Sequence, residues 1–182
     1  MEPVFNERPY IDNGDGTITD KQTGLMWEMQ TSTCSGEVTC IYSQYAWSSS
    51  GTLADGTLFT SFIAGLNGGV YYNPSTGQDV YTAAGAGTCV ANHCDWRIPT
   101  VAELQTIIEM TASGCGAGGL CIDPTFGPTS PTQQSAYWSS SSSAGTNSAG
   151  VGGAWFVYFL NGTVQVTNKT FATYARAVRS GR

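Results

Sequence analysis

Residues 95–104 read Asp95-Trp96-Arg97-Ile98-Pro99-Thr100-Val101-Ala102-Glu103-Leu104, and they predict a junction between a strand and a helix. Proline disfavours helical backbone at the residue before it, so we expect extended structure up to Ile98. Thr100 and Glu103 have the spacing of a capping box, in which the two side chains bind the first free amides of a helix. Apolar residues then recur at helical spacing, and we expect this helix to run to about Met110.

The composition indicates one neutral, polar domain over residues 1–182. Charged residues make up 11% of the chain and the net charge is -6, whereas about 25% charged residues is usual in globular proteins. An acidic chain lacks the excess of basic residues that binds the phosphates of nucleic acid, so we expect no nucleic-acid partner. No apolar run reaches the about 18 residues that a membrane span needs, so we expect no membrane insertion. The start, Met1-Glu2-Pro3-Val4, lacks the basic and apolar regions of a signal peptide.

The six cysteines fall into three close pairs along the chain, namely Cys34/Cys40, Cys89/Cys94 and Cys115/Cys121. Fifteen pairings are open to six cysteines, and the sequential one is favoured because each pair brackets a short polar segment. Such small loops gain about 2 kcal/mol each from a disulfide. Disulfides of this kind are typical of proteins in oxidising compartments.

Two motifs raise the question of a bound metal, and we expect none. Cys89, His93 and Cys94 lie close together, but a zinc site needs four ligands and His93 is the only histidine in the chain. Residues 12–16 superficially resemble a calcium loop. Glycines stand where the third and fifth positions need oxygen ligands, so a tight hairpin turn between two strands is the favoured interpretation.

Short antiparallel strands and two helices account for the rest of the chain. Apolar spacing over residues 58–66 predicts the first helix, and Asn161-Gly162 predicts a type I′ turn in a hairpin of residues 154–166. We expect loops at residues 30–56, 68–94 and 139–153. Helices followed by C-terminal antiparallel strands are typical of an α+β protein.

The five tryptophans divide into a core set and one exposed candidate. We expect Trp27, Trp96, Trp138 and Trp155 in the core because they lie in strand-like segments. Trp47 lies in a polar segment, so we expect it to be exposed.

The ordered set of motifs resembles the bacterial family named for the C-terminal domain of the Legionella collagen-like adhesin (Lcl). The resemblance covers nearly the whole chain and is carried by Asp12-Asn13-Gly14-Asp15-Gly16-Thr17, Thr23-Gly24-Leu25-Met26-Trp27, Asp95-Trp96-Arg97-Ile98-Pro99-Thr100, Glu103-Leu104, Tyr137-Trp138-Ser139-Ser140, Ala154-Trp155, Phe159, Gly162 and Arg176-Ala177-Val178-Arg179.

This resemblance implies a C-type-lectin-like fold related to the formylglycine-generating enzyme, with long disulfide-pinned loops. It also implies an exported bacterial protein at the cell surface, with adhesins and homotrimers among its relatives. The family's adhesin binds sulfated polysaccharide. This chain has only seven basic residues, among them Arg176, Arg179 and Arg182 near its end, whereas a polyanion site needs clustered cations.

Some members of the family are diversified at their C-terminal strands by a diversity-generating retroelement. In this chain the corresponding freer positions are Tyr158, Leu160, Val164, Gln165, Thr167, Phe171, Ala172 and Thr173. The resemblance implies that such residues project from one exposed face. We therefore predict a ligand-binding site at Tyr158, Leu160, Gln165, Thr167, Phe171 and Thr173.

The favoured function is a non-enzymatic binding domain without a cofactor, recognising a glycan or a protein on a host or neighbouring cell. The serine run 139–143 has no recognisable base partner, and Asp95 and Glu103 are explained by capping and by pairing with Arg97. Two alternatives stay open: a structural trimerising tip of a surface fibre, and a cysteine-dependent oxidoreductase related to the formylglycine-generating enzyme.

Overall fold

The computed structural model describes residues 9–34, 37–83, 87–126, 133, 135–146 and 150–181. Within these ranges the protein is an α+β protein of small antiparallel sheets and short helices, as predicted for the class. Residues 1–4, residues 147–149 of the predicted loop at 139–153, and Arg182 lie outside the described residues.

Eleven strands and two principal helices follow one another along the described chain. They are β1 (Tyr10–Asp12), β2 (Thr17–Asp20), β3 (Leu25–Glu28), β4 (Tyr45–Ala46), α1 (a π-helical segment, Leu58–Ile63, continued by the α-helical turn Ala64–Leu66), β5 (Val70–Asn73), β6 (Gln78–Tyr81), α2 (Val101–Thr106), β7 (Ala136–Thr146), β8 (Gly152–Tyr158), β9 (Thr163–Asn168), β10 (Ala172–Thr173) and β11 (Val178–Ser180). Two 3₁₀ turns lie at Val90–Asn92 and Pro124–Phe126.

The longest-range sheet has the order β1-β2-β3-β11 and joins the two ends of the described chain. The predicted hairpin at residues 12–16 is confirmed. Its carboxylates build the turn, because Asp12 accepts a hydrogen bond from the Gly14 amide and Asp15 accepts one from the Thr17 amide. Smaller sheets pair β4 with β10, pair β5 with β6, and align β7-β8-β9.

The capping box predicted within the junction at residues 95–104 is confirmed. The Thr100 hydroxyl accepts a hydrogen bond from the Glu103 amide, the Glu103 carboxylate accepts one from the Thr100 amide, and the helix begins directly after this capping box. The helix ends at Thr106 rather than near Met110, because Ile108 forms a bridge with Ile122. No helix in the described ranges is long and apolar enough to cross a membrane.

All three predicted loops are wrong in part, since each contains a strand. The expected loop 30–56 contains β4, which pairs with β10. Residues 70–81 of the expected loop 68–94 form the β5–β6 hairpin. Residues 139–146 of the expected loop 139–153 belong to β7, where the Ser139 hydroxyl donates to the Trp155 carbonyl and the Ser140 amide donates to the Pro99 carbonyl. Serine has little strand preference of its own, so contacts from distant residues decide this structure.

Two apolar clusters form the core, and β8 contributes to both. Ala154 belongs to a cluster around α1, together with Trp96 and Trp138. Val157 belongs to a second cluster, which includes Trp27 and Leu104 of α2. The burial of these three tryptophans is as predicted.

A group of polar side chains is buried between the ends of β3 and β11. Arg176 is fully buried and donates to the Glu28 carbonyl and the Gln30 side-chain oxygen, at 3.1 and 3.3 Å. Glu28 is fully buried too, and one of its carboxylate oxygens accepts a hydrogen bond from the Ala177 amide at 3.1 Å. Burial raises the pKa of Glu28 to about 7, although its attraction to Arg176 acts in the opposite direction.

Candidate ligand-binding surface

The β8–β9 hairpin carries half of the predicted binding residues on one of its faces. Cross-strand partners share a face of an antiparallel pair, and Phe156 lies opposite Gln165, Ala154 opposite Thr167, and Tyr158 opposite Thr163. Tyr158, Gln165 and Thr167 therefore lie on the same face. Gln165 is exposed, whereas Tyr158 and Thr167 are half-buried. The same face carries Ala154 and Phe156, which pack against the core cluster around α1.

The other three predicted residues lie at the two ends of this hairpin. Leu160 is half-buried in the turn between β8 and β9. Phe171 lies beyond the far end of β9 and is 57% exposed. Since a six-residue strand spans roughly 20 Å, Leu160 and Phe171 are too far apart to touch one small ligand together.

Thr173 is placed differently from its predicted neighbours. It is buried on β10, and its hydroxyl donates to the Ala136 carbonyl at 2.6 Å. This hydrogen bond attaches β10 to the start of β7, so the hydroxyl is engaged inside the protein.

The opposite face of the hairpin exposes an apolar pair that the sequence analysis missed. Trp155 and Val166 lie opposite each other on β8 and β9, and 36% of Trp155 and 41% of Val166 is exposed. The prediction that Trp155 is in the core is therefore wrong. The alternation along β8 gives the signal, because Ala154 faces the core and its neighbour must face the other way.

Gly153 keeps the surface beside this pair concave. A Cβ atom at Gly153 would lie 2.5 Å from the Val166 side chain, so no larger residue fits without displacement. The resulting depression has a volume of about 230 Å³ and is bordered by Ser143 and Asn168.

The turn after β9 is held by a buried tryptophan and a lysine. Trp47 is only 2% exposed and its indole N–H donates to the Ser139 carbonyl, so the prediction of an exposed Trp47 is wrong. The Lys169 ammonium lies 3.8 Å from the centre of the Trp47 ring and donates to the Thr52 carbonyl at 3.0 Å. These contacts fix the backbone from which Phe171 projects.

The hairpin surface is electrically almost neutral. Lys169 is the only charged side chain among residues 150–173, and it is directed toward Trp47 rather than outward. A ligand at this surface would therefore be held by hydrogen bonds and apolar contacts.

The charged residues of the segment 95–104 form ion pairs that hold this segment and β11 together. Arg97 makes two hydrogen bonds to the Glu103 carboxylate, at 2.8 and 2.6 Å, as the predicted pairing required. Asp95 pairs instead with Arg179 on β11, at 2.6 Å. The backbone of Arg97 also forms a bridge with Val178, so the segment is anchored to β11.

All three predicted disulfides are confirmed: Cys34–Cys40, Cys89–Cys94 and Cys115–Cys121. None of the six cysteines is free. Because Cys89 and Cys94 are bonded to each other, neither has a free thiolate for the alternative zinc site.

The comparison with protein families matches residues 16–179 to the Lcl C-terminal domain. The chain belongs to this family. The match spans β2 and β3 of the first sheet, the junction at residues 95–104 and the β8–β9 hairpin, and it agrees with the resemblance seen in the sequence. Comparisons with curated proteins and with solved structures gave no match.

Proposed function

We propose that this Lcl C-terminal domain is a non-enzymatic, adhesin-type binding module at the bacterial cell surface. Its ligand is a glycan or a protein on a host or neighbouring cell, and its binding surface is the β8–β9 hairpin with the turn that follows. The observation that carries the proposal is the neutral hairpin surface, on which Trp155, Val166 and Phe171 are exposed. Exposed aromatic side chains beside neutral polar groups are typical of recognition surfaces.

The disulfides support the proposed location and argue against cysteine-dependent enzymatic activity. Three disulfides in a small domain suit an oxidising environment outside the cytoplasm. A cysteine-dependent oxidoreductase would need a thiolate, and every cysteine of this chain is paired.

The family relationship supports two finer parts of the proposal. One is a C-type-lectin-like fold, with α2 and the small sheets supporting the hairpin. The other is retroelement diversification of the hairpin. Sequences of this locus from several isolates test the diversification. Differences confined to the freer positions between 154 and 179 support diversification, and scattered differences refute it.

A screen of the oxidised domain against glycan and host-protein arrays tests the function itself. We expect Phe171→Ala and Val166→Ala to lose binding to the ligand that is found, with little change in melting temperature, because both side chains are exposed. Tyr42→Ala is the matched control, because Tyr42 is 61% exposed in a different loop. Equal loss of binding in all three variants, or a hit that neither hairpin variant weakens, would refute the assignment of the site.

Sedimentation of the same sample tests the structural alternative. A stable trimer that binds nothing in either array would favour a trimerising tip over a binding module.

A further inference from the structure

β9 forms one edge of the β7-β8-β9 sheet, and no strand in the described part of the chain pairs with its outer side. The opposite edge of this sheet differs, because the chain itself covers β7. The Trp138 amide donates to the Tyr174 carbonyl, and the Ser140 amide donates to the Pro99 carbonyl. Within the described ranges, the outer side of β9 is therefore the open edge of this sheet.

The hydrogen-bond pattern of the hairpin shows which backbone groups of β9 point outward. The Lys169 amide donates to the Gly152 carbonyl at 3.0 Å, so these residues form a hydrogen-bonded pair at the end of the hairpin. Hydrogen-bonded and non-hydrogen-bonded pairs alternate along antiparallel strands. Val166 and Val164, three and five residues before Lys169, therefore lie in non-hydrogen-bonded pairs. Their N–H and C=O groups point away from β8, and no described residue binds them.

β9 lacks the features that keep an edge strand from pairing with another chain, which are proline, charged side chains and bulges. The strand Thr163–Asn168 contains neither proline nor a charged residue, and its register with β8 is regular over six consecutive pairs. Lys169 follows directly, but its ammonium lies over the Trp47 ring. Four of the six residues of β9 are valine or threonine, which favour extended structure. Such an edge is a template for a further strand.

We propose that the outer edge of β9 pairs with the same edge of a second copy of this chain, antiparallel and about a two-fold axis at Gln165. The neutral sequence of β9 favours a second copy, because a two-fold contact places the same strand on both sides and a charged strand would repel itself. With the axis at Gln165, Val164 of each copy lies opposite Val166 of the other, and each such pair exchanges two backbone hydrogen bonds. An axis at Val166 would instead use the Asn168 carbonyl, which already accepts from the Phe171 amide.

The side chains also match in this register. The two Gln165 side chains face each other in a non-hydrogen-bonded pair, where side chains approach most closely, and each amide offers both a donor and an acceptor. Thr163 lies opposite Thr167, and threonine pairs of this kind stabilise antiparallel sheets. On the other face Val166, which is 41% exposed in a single copy, packs beside Val164 of the second copy.

An exposed methionine and the depression beside Gly153 lie at matching positions on the face of Val164 and Val166. A Cβ atom at Gly162 would lie 2.9 Å from the Met110 sulfur, so Met110 borders this face at the turn before β9. Met110 is 60% exposed. The depression lies at the other end of β9, where Asn168 borders it. The proposed register brings Gly162 of one copy next to Asn168 of the other, so each Met110 approaches the depression of the second copy.

The pairing does not rest on the proposed function, because its test measures self-association without any ligand. Small interfaces are weak, so sedimentation of the oxidised domain is followed up to about 1 mM protein. We expect a reversible change from the monomer of 19.2 kDa to a dimer. Hydrogen exchange at the Val164 and Val166 amides should slow as the protein concentration rises, whereas the amides of β6, on another sheet, should keep their rates.

Charge variants at the two-fold axis test the register. Gln165 is exposed, so a charge at this position leaves the fold of a single copy intact. Gln165→Lys and Gln165→Glu each place like charges opposite each other, and we expect the dissociation constant of the dimer to rise at least about tenfold. An equimolar mixture of the two variants places opposite charges there and should restore the dimer. Tyr42→Lys is the matched control, because it adds the same charge at an exposed residue of a different loop.

Val166→Pro tests the backbone hydrogen bonds. Proline is accepted on edge strands where the N–H faces solvent, and the Val166 N–H takes no part in pairing with β8. We therefore expect a folded monomer that no longer dimerises, with thermal unfolding as the check on folding. Val166→Thr keeps the N–H and nearly the same shape, so it should associate like the wild type.

Several results would overturn the proposal. One is a strict monomer at about 1 mM protein, which would leave the edge to an extended segment of a different protein, and another is a trimer. A third is a wild-type dimer constant in Gln165→Lys or in folded Val166→Pro. The last is a mixture of Gln165→Lys and Gln165→Glu that stays monomeric, since it would show that the two Gln165 side chains do not meet.

Discussion

Glu28 carries a carboxyl group that is buried in the core. Burial raises the pKa of this group and attraction to Arg176 lowers it. Replacement of Glu28 by glutamine tests which of the two effects is larger. Glutamine has nearly the same shape and can still accept the hydrogen bond from the Ala177 amide. The substitution therefore removes the titration of the side chain and little else. Wild type and Glu28→Gln should differ mainly in how their stability depends on pH.

The magnitude follows from the raised pKa. Burial raises the pKa of Glu28 from 4.5 to about 7, so the folded protein holds this proton more tightly than the unfolded chain does. The stabilisation is complete below about pH 4.5 and is lost as pH rises through about 7. By linkage, the wild type loses about 3 kcal/mol relative to Glu28→Gln across this interval.

Urea denaturation of both proteins between pH 4 and pH 8, with the disulfides oxidised, measures this difference. We expect a constant difference in unfolding free energy near pH 4, and a shift of about 3 kcal/mol against the wild type by pH 8. A difference that stays constant over the whole range would refute the reasoning. A shift in favour of the wild type would show that the attraction of Arg176 exceeds the effect of burial.

Three further predictions concern the framework. Gly56→Ala should cost about 1–3 kcal/mol through overpacking, because its Cβ would lie 2.1 Å from a backbone carbonyl oxygen; a wild-type urea midpoint would contradict this. Glu103→Ala should cost about 1–2 kcal/mol, because it removes the carboxylate half of the capping box and the Arg97 pair. Glu103→Gln can still accept from the Thr100 amide and should lose less, and equal losses would refute the role of the ion pair. Replacement of Cys89 and Cys94 by serine should lower stability by about 2 kcal/mol, and an unchanged thermal midpoint would show that this disulfide is dispensable.

Features decided by neighbouring residues could be predicted from the sequence. The capping box at Thr100 depends on residues three positions apart, and the disulfides join cysteines five or six positions apart. The turn at residues 12–16 is likewise built by its own carboxylates. The predicted type I′ turn at Asn161-Gly162 is a partial exception: the hairpin is confirmed, but pairing stops at Tyr158 and Thr163, which leaves a loop of four residues.

Features decided by distant residues were missed. The polar segment around Trp47 suggested exposure, but Ser139, 92 positions later, accepts its indole N–H, and Lys169 covers its ring. The serine run of β7 is extended because it pairs with β8 and binds Pro99. The depression bordered by Phe59, Tyr72 and Ser140 was missed for the same reason, since it combines α1, β5, the junction and β7.

The candidate site on the hairpin was predicted only in part. Register places Tyr158, Gln165 and Thr167 on one face, but that face also carries the buried Ala154, and only Gln165 of the three is exposed. The burial of Thr173 depends on its hydrogen bond to Ala136, 37 positions away, which no local pattern reveals.

The position of β11 sets the order in which the chain can fold as it is synthesised. β11 completes the first sheet by pairing with β3, about 150 residues earlier, and it also anchors the junction through Val178. Neither contact can form until residue 180 has been made. The three disulfides close loops of five or six residues and require no finished core. A nascent chain can therefore acquire its crosslinks early and reach its native structure only after β11 has emerged from the ribosome.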